Sequence, residues 1–263
     1  MFIDVHCHLT DENYAGENAL SRVIERAREE GVLRFITSGY DLPSSKRCKQ
    51  IAKTWDGVFF CAGFQPEELD GVGEEELSKL KELLRNEKCV AVGEIGLDYH
   101  FEDNPPREKQ KAFFRAQIEM ANEAGLPFVV HSRDACQDTL DVLEEAYAEG
   151  KLTHGFLMHC YSYSAECVQR FETLGGYFSF GGTATFKNAK KVKESVAKVR
   201  ADRILSETDC PYLTPEPLRG RFPNEPKHIT HTVKNLALLR GEDEEILKKR
   251  IWENAERLFF KMR

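Results

Sequence analysis

The chain has 263 residues, with 37 Lys and Arg against 44 Asp and Glu, a formal net charge of −7 and a sequence pI near 5.7. Hydrophobic residues at 41% and charged residues at 31% are the proportions of a soluble globular protein and exclude a disordered chain. The acidic balance excludes a surface-wide electrostatic grip on nucleic acid, so an anionic substrate would be met by metal ions or a few placed arginines.

Short apolar, β-rich runs alternate with longer amphipathic stretches from Phe2 onward. Strands are predicted at 2–6, 33–38, 58–63, 89–94, 127–131, 155–159, 177–181 and 203–207. Helices are predicted near 17–30, 44–55, 74–86, 106–125, 134–149, 164–174, 188–199, 226–240 and 243–261. The first places Ala19, Leu20, Val23, Ile24 and Ala27 at helical spacing and stops at Gly31. The last carries an apolar stripe of Ile246, Leu247, Ile251, Trp252, Ala255, Leu258 and Phe259. Eight strands, each followed by a helix, with no linker and no composition shift, is the pattern of a (β/α)8 TIM-type barrel forming one domain over 1–263. A doubly wound open sheet is the alternative, because periodicity does not distinguish a closed sheet from an open one. Neither a GxGxxG after the first strand nor a GxxxxGK[ST] occurs, which removes the usual reason to prefer a nucleotide-binding sheet.

The eight cysteines (7, 48, 61, 89, 136, 160, 167 and 210) form no CxxC pair. With Asp4 and His6 so near the start, the opening segment is not expected to be a signal or transit peptide. The thiols therefore read as reduced, in a cytoplasmic protein. The apolar runs are far shorter than a membrane span, so no membrane association is expected, and nothing implies an obligate protein partner.

In such a barrel, function gathers at the C-terminal ends of the strands. Those ends carry His6 and His8, then Glu94, His131 and His159, and finally Asp209 in Ser206-Glu207-Thr208-Asp209-Cys210-Pro211. Alternation along a strand turns His6 and His8 to one side. Each residue has an ordinary alternative: His131 could cap the next helix, and Glu94 could be a solvated carboxylate. Four histidines and two carboxylates on one rim, with His154, His228 and His231 elsewhere, favour a metal centre. A catalytic zinc needs about three protein ligands and an open position, so six candidates suit two divalent ions with Glu94 as the bridge. Two ions about 3.5–4 Å apart suit displacement at a phosphoryl ester. Asp209 can both ligate and accept the proton of an attacking water. The nitrogen and oxygen donors serve zinc, magnesium or manganese alike.

Around this set, Arg133 is placed to meet an anionic oxygen, or to pair with Asp134 or Asp138 where Ser132-Arg133-Asp134 opens a helix. Arg219 and Arg221, in a Pro-rich loop over 211–226, read as a phosphate contact or as solvated charges. Phe64, Tyr99, Tyr161 and Phe186 lie near strand exits, where they could stack bases or simply pack. Cys7 and Cys160 are turned away from the ligands by alternation and read as packing; for Cys210, beyond its strand, alternation is silent.

In order, FIDVHCHL, VGEIGLDYH followed by a glutamine-bearing helix, LPFVVHSRDA, GFLMHCYSYS, SETDCPYLTP, RGRFPNEP and IWENAERLF resemble the motifs of the TatD family of metal-dependent deoxyribonucleases. The resemblance runs from residue 2 to the end. It implies an amidohydrolase-type barrel, divalent metals and hydrolysis of DNA phosphodiesters, with Glu94 and Asp209 at the chemistry. Carried over residue by residue, it implies one metal on His6, His8, Glu94 and Asp209 and a second on Glu94, His131 and His159. A barrel mouth would admit DNA as single strands or ends. Two positions depart from the family's pattern. Gly63-Phe64-Gln65-Pro66 has glutamine where a GxHP turn has histidine, so Gln65 could hydrogen-bond a phosphate but not carry a proton. His159-Cys160-Tyr161-Ser162-Tyr163 lacks the usual glycine of the HCF(S/T)G turn. Two other functions compete. One is an amidohydrolase-like lactonase, amidase or phosphotriesterase acting on a small substrate, although that family often bridges its metals with a carboxylated lysine rather than a glutamate. The other is a metal-stabilised nucleic-acid-binding scaffold, which would have no need of Asp209.

Overall fold

A parallel strand buried on both faces reads as a continuous apolar run, and eight such runs form one sheet in the order in which they occur in the chain. The computed structural model describes residues 1–16 and 18–263. Its strands are β1 (Phe2–Cys7), β2 (Val32–Ser38), β3 (Val58–Ala62), β4 (Cys89–Asp98), β5 (Phe128–Arg133), β6 (Phe156–Met158), β7 (Gly176–Phe180) and β8 (Ile204–Ser206). Each pairs with the next in parallel. The helices are α1 (Ala19–Glu29), α2 (Leu42–Thr54), α3 (Glu74–Leu84), α4 (Arg107–Ala124), α5 (Cys136–Ala148), α6 (Ala165–Thr173), α7 (Lys190–Lys198), α8 (Ile229–Arg240) and α9 (Glu244–Leu258). The expected βα alternation and barrel are both present. Residue 17, at the head of the helix expected over 17–30, lies outside the described residues. No described helix is long and apolar enough to cross a membrane.

Local chemistry sets the boundaries. The second helix starts at Leu42, earlier than the 44–55 expected, because Asp41 caps it. Asp41 Oδ1 accepts the Ser44 N–H at 2.7 Å, and Ser44 Oγ accepts the Asp41 N–H at 3.0 Å, a reciprocal pair that satisfies two orphan donors. In α9, Leu247, Ile251, Ala255 and Leu258 are buried, whereas Ile246, counted in the expected stripe, is exposed. Buried Asn254 ties α9 to the foot of β8, donating to the Ala201 and Ile204 carbonyls at 2.9 Å each.

Between β8 and β1 the described residues form no regular ladder, and the seam closes by other means. The Asp4 carboxylate, fully buried, accepts the Thr208 N–H at 3.0 Å and the Thr208 hydroxyl at 2.5 Å. Above it, the Asp209 N–H donates to the His6 carbonyl and the His8 N–H to the Cys210 carbonyl, at 3.0 and 2.8 Å. The seam is thus welded at the level where His6, His8 and Asp209 emerge. The loop beyond β8 is held down by buried Asn224, whose amide donates to the Thr208 and Tyr212 carbonyls.

Asn224 also bonds His228 Nδ1 at 2.9 Å, in the short turn that leads into α8. Burial, with Lys227 alongside, pushes His228 from its ordinary 6.5 down to about 4. The unfolded chain then takes up a proton below pH 6.5 that the folded state refuses until about pH 4. This group's stability contribution is complete above 6.5 and falls as the pH drops through that window. Denaturant titrations across it should show His228→Gln losing less stability on acidification than the parent chain.

Candidate metal centre

Five strands deliver the six expected residues to one point. At the top of β1, His6 is fully buried and His8 nearly so. Their Nε2 atoms lie 3.3 Å apart, and Ser38, ending β2, bonds His6 Nδ1 at 3.1 Å. Glu94 arrives differently from its neighbours. The expected strand ended there, but β4 runs on to Asp98, and Glu94 sits in a bulge where pairing jumps from Val92↔Phe128 to Ile95↔Val130. Such a bulge re-aims a side chain. The local glycines are required: a Cβ on Gly96, at φ +140°, would lie 2.0 Å from the His131 carbonyl oxygen. His131 comes from β5, His159 from just beyond β6, and Asp209 from beyond β8 in a left-handed conformation at φ 53°.

Glu94 lies between two donor sets. Its Oε1 is 2.9 Å from His131 Nδ1 and 3.0 Å from His159 Nε2. Its Oε2, buried and without a hydrogen-bond partner among the described residues, is 3.5 Å from His6 Nε2 and 3.9 Å from His8 Nε2. Asp209 Oδ1 completes that side, 3.6 Å from His6 Nε2 and 3.3 Å from His8 Nε2. Ligand atoms held about 2.1 Å from a tetrahedral ion sit roughly 3.4 Å from one another. The donor set and its spacing, together with the orphaned carboxylate oxygen, fit a divalent cation. His6, His8, Asp209 and Glu94 could hold one, and Glu94, His131 and His159 a second.

Electrostatics follow from burial and company. Burial opposes charge on Glu94, but His159, His131 and His6 outweigh it and hold the carboxyl well below its usual range. Burial, with His159 and His8 nearby, pushes His6 down to about 4. Burial also disfavours charge on His131, yet Asp98 and Glu94 raise it to about 10.

The partners behind these ligands were not evident in the sequence. Asp98, buried at the end of β4, bonds His131 Nε2 at 2.9 Å and so fixes its ring. Asp98 is itself held by buried Gln110 of α4, whose amide accepts the Asp98 N–H and donates to its carbonyl. Gln117, two turns further along the same face of α4, clasps the Phe64 backbone in the same way. Two glutamine amides thus replace missing strand partners beneath the mouth. Partners of this kind typically tune affinity or activity by about 10–100-fold. Asp98→Asn is therefore expected to lower metal affinity within that range, read by metal titration of purified protein.

Above the ligands opens a cavity of about 670 Å³. Gln65 and Arg133 line it. Arg133 is the last residue of β5 rather than a helix start, since α5 begins at Cys136. Among the described residues it makes no ion pair and lies over the Phe101 ring; Asp134 pairs with His100 instead. Arg219 does not line the cavity; it stacks on Phe186 at 3.9 Å. Phe64 and Tyr161 are buried in the core, and Tyr99 lies outside the cavity lining with Arg107 stacked on its ring at 4.2 Å. The aromatics that line it are Tyr40, Phe101 and Tyr212, which follow strands β2, β4 and β8 at no periodic spacing. Cys160 escapes the alternation rule because β6 ends at Met158 and Cys160 turns left-handed at φ 45°. Its N–H bonds buried Glu207 at 2.7 Å.

Residues 3–260 match the family model described as TatD related DNase. The chain belongs to this family. Among relatives of the TatD-type chain is an uncharacterized metal-dependent hydrolase, YabD, of Bacillus subtilis, 42% identical over 98% of this chain and 99% of its own. Another, from Klebsiella pneumoniae, is named 3'-5' ssDNA/RNA exonuclease TatD and is 30% identical over 97% of each chain. In three dimensions the barrel matches the crystal structure of YJJV, a TatD homologue of Escherichia coli K12, with a TM-score of 0.92 and 29% identity over 98% of both chains.

Proposed function

We propose that this chain is a metal-dependent phosphodiesterase that hydrolyses DNA, taking single strands or ends into the barrel mouth. The observation that carries the reading is Glu94, one carboxylate with an oxygen toward each of two donor sets. Divalent ions, when bound, supply a water acidified toward neutrality and offset charge growing on phosphate oxygens. The chain's own groups do the remainder. Asp209 accepts the proton of the attacking water, and Ser38 and Asp98 hold the rings of His6 and His131. Arg133, unpaired at the rim, meets a phosphate oxygen, and Gln65 donates from its amide. The cavity is of small-molecule size, which suits one or two unstacked nucleotides and excludes a duplex. Eight free thiols accord with a reducing cytoplasm as the working compartment.

The second reading, hydrolysis of a small ester or amide, draws on the acidity of the mouth, where Asp11, Glu67 and Glu68 stand against Arg133. The test is a substrate panel of single-stranded DNA, duplex DNA, RNA and small esters, with magnesium, manganese or zinc added. Single-stranded DNA should be cut faster than duplex, and a chelator should stop the reaction. Turnover of esters with none of DNA would replace the proposal with the second reading. DNA binding without turnover would leave a scaffold.

A further inference from the structure

Away from the metal centre, Cys136 and Cys167 bring their sulfurs to 3.4 Å. Cys136 is the first residue of α5, and Cys167 lies in the first turn of α6. Both thiols are free and only partly buried, and both line a surface cavity of about 470 Å³ whose wall includes Arg133 and Lys191. A small anionic reagent can reach them. Cys7 and Cys210 also neighbour one another, but both are fully buried.

We propose that Cys136 and Cys167 are a redox modification site, forming a reversible disulfide by exchange with a small anionic disulfide of the oxidised-glutathione class. One protein thiol, after losing its proton, attacks a sulfur of the reagent and releases one small thiol. The second protein thiol loses its proton, attacks the mixed disulfide, and releases the other half. Two protein S–H groups become one S–S bond while the reagent's S–S bond becomes two S–H groups, so electrons and protons balance. The sulfurs must close from 3.4 Å to about 2.05 Å, a distance within reach of side-chain rotation at two helix starts. Burial, with Cys167 alongside, pushes the Cys136 thiol up to about 12, which slows its attack as a thiolate.

The bond would staple α5 to α6 on either side of the Tyr163 hydroxyl. That hydroxyl bonds Ser132 Oγ at 2.7 Å and accepts the Ala135 N–H at 3.1 Å. Oxidation therefore stiffens the segments that follow His131 and His159, and it should raise Tm by roughly 5–10 °C. The experiment incubates the full chain with oxidised glutathione and maps unreduced peptides by mass spectrometry. A 136–167 cross-linked peptide, lighter by two hydrogens and reversed by dithiothreitol, is expected together with the Tm rise. Cys136→Ser and Cys167→Ser should each abolish both effects, so one folded variant suffices. Free thiols at both positions, glutathione adducts alone, or a cross-link elsewhere would overturn the proposal.

Discussion

Glu94→Gln is expected to empty both proposed metal positions together and to lower hydrolysis by about three orders of magnitude, the scale of several kcal/mol of lost charge stabilisation. The reason is the division of labour between its two oxygens. Oε1 meets His131 and His159, while Oε2 stands bare toward His6 and His8. An amide keeps the shape but removes the charge and turns an N–H₂ toward one of the donor sets, where it can only donate. His8→Ala, by contrast, removes a donor from one side and should leave the Glu94, His131 and His159 set loaded. Metal stoichiometry on the two purified variants separates a shared carboxylate from a one-sided one. If Glu94→Gln kept both ions at parental affinity, Glu94 would not be the bridge.

The histidines were readable because of where the barrel buries its strands. In PFVVH or GFLMH every residue but the last is nonpolar, so a single polar residue closing the run stands out. Glu94 was readable as a residue but not as a geometry. The bulge that delivers it depends on glycines packed against β5, and the extension of β4 to Asp98 depends on pairing with Ser132 and Arg133. Period-two patterning carries neither fact. Gln110 and Gln117 lay in a helix already noted for its glutamines, yet their role needs the strand ends they clasp. The mouth aromatics defeated the reading for a related reason. Phe64 and Tyr161 leave strands just as Tyr40 and Tyr212 do, and only tertiary packing decides which ring is buried. The same holds for Arg219, whose loop lays it on Phe186 and away from the cavity.

The mouth gathers more carboxylates than its overall charge requires. Asp11, Glu67, Glu68, Glu94, Asp98 and Asp209 line it with Arg133 the one lysine or arginine among its lining residues. Such a surface repels a phosphodiester until cations offset it. Metal loading and substrate binding should therefore be coupled, with DNA affinity falling on chelation and not only turnover.

Asp209→Asn tests the proposed proton acceptor. Asp209 sits at φ 53°, a conformation asparagine adopts as readily as aspartate, so its N–H keeps the bond to the His6 carbonyl that closes the seam. His6, His8 and Glu94 remain, so the ion on that side should bind more weakly but still load at excess metal. The carboxyl is available in its charged form. Burial opposes its ionisation, but His8 and His6 prevail and hold it below its usual range, so it is an anion throughout neutral pH. Asparagine cannot take a proton there, and loss of a placed general base costs about 10²–10⁴-fold. At saturating metal, turnover on single-stranded DNA is expected to fall by about three orders of magnitude, with KM little altered because the substitution leaves the proposed strand contacts, Arg133 and Gln65, untouched. A variant within a few-fold of the parent rate at equal metal content would remove Asp209 from proton transfer. The proton would then have to leave through Glu94 or a carboxylate of the rim, such as Glu67.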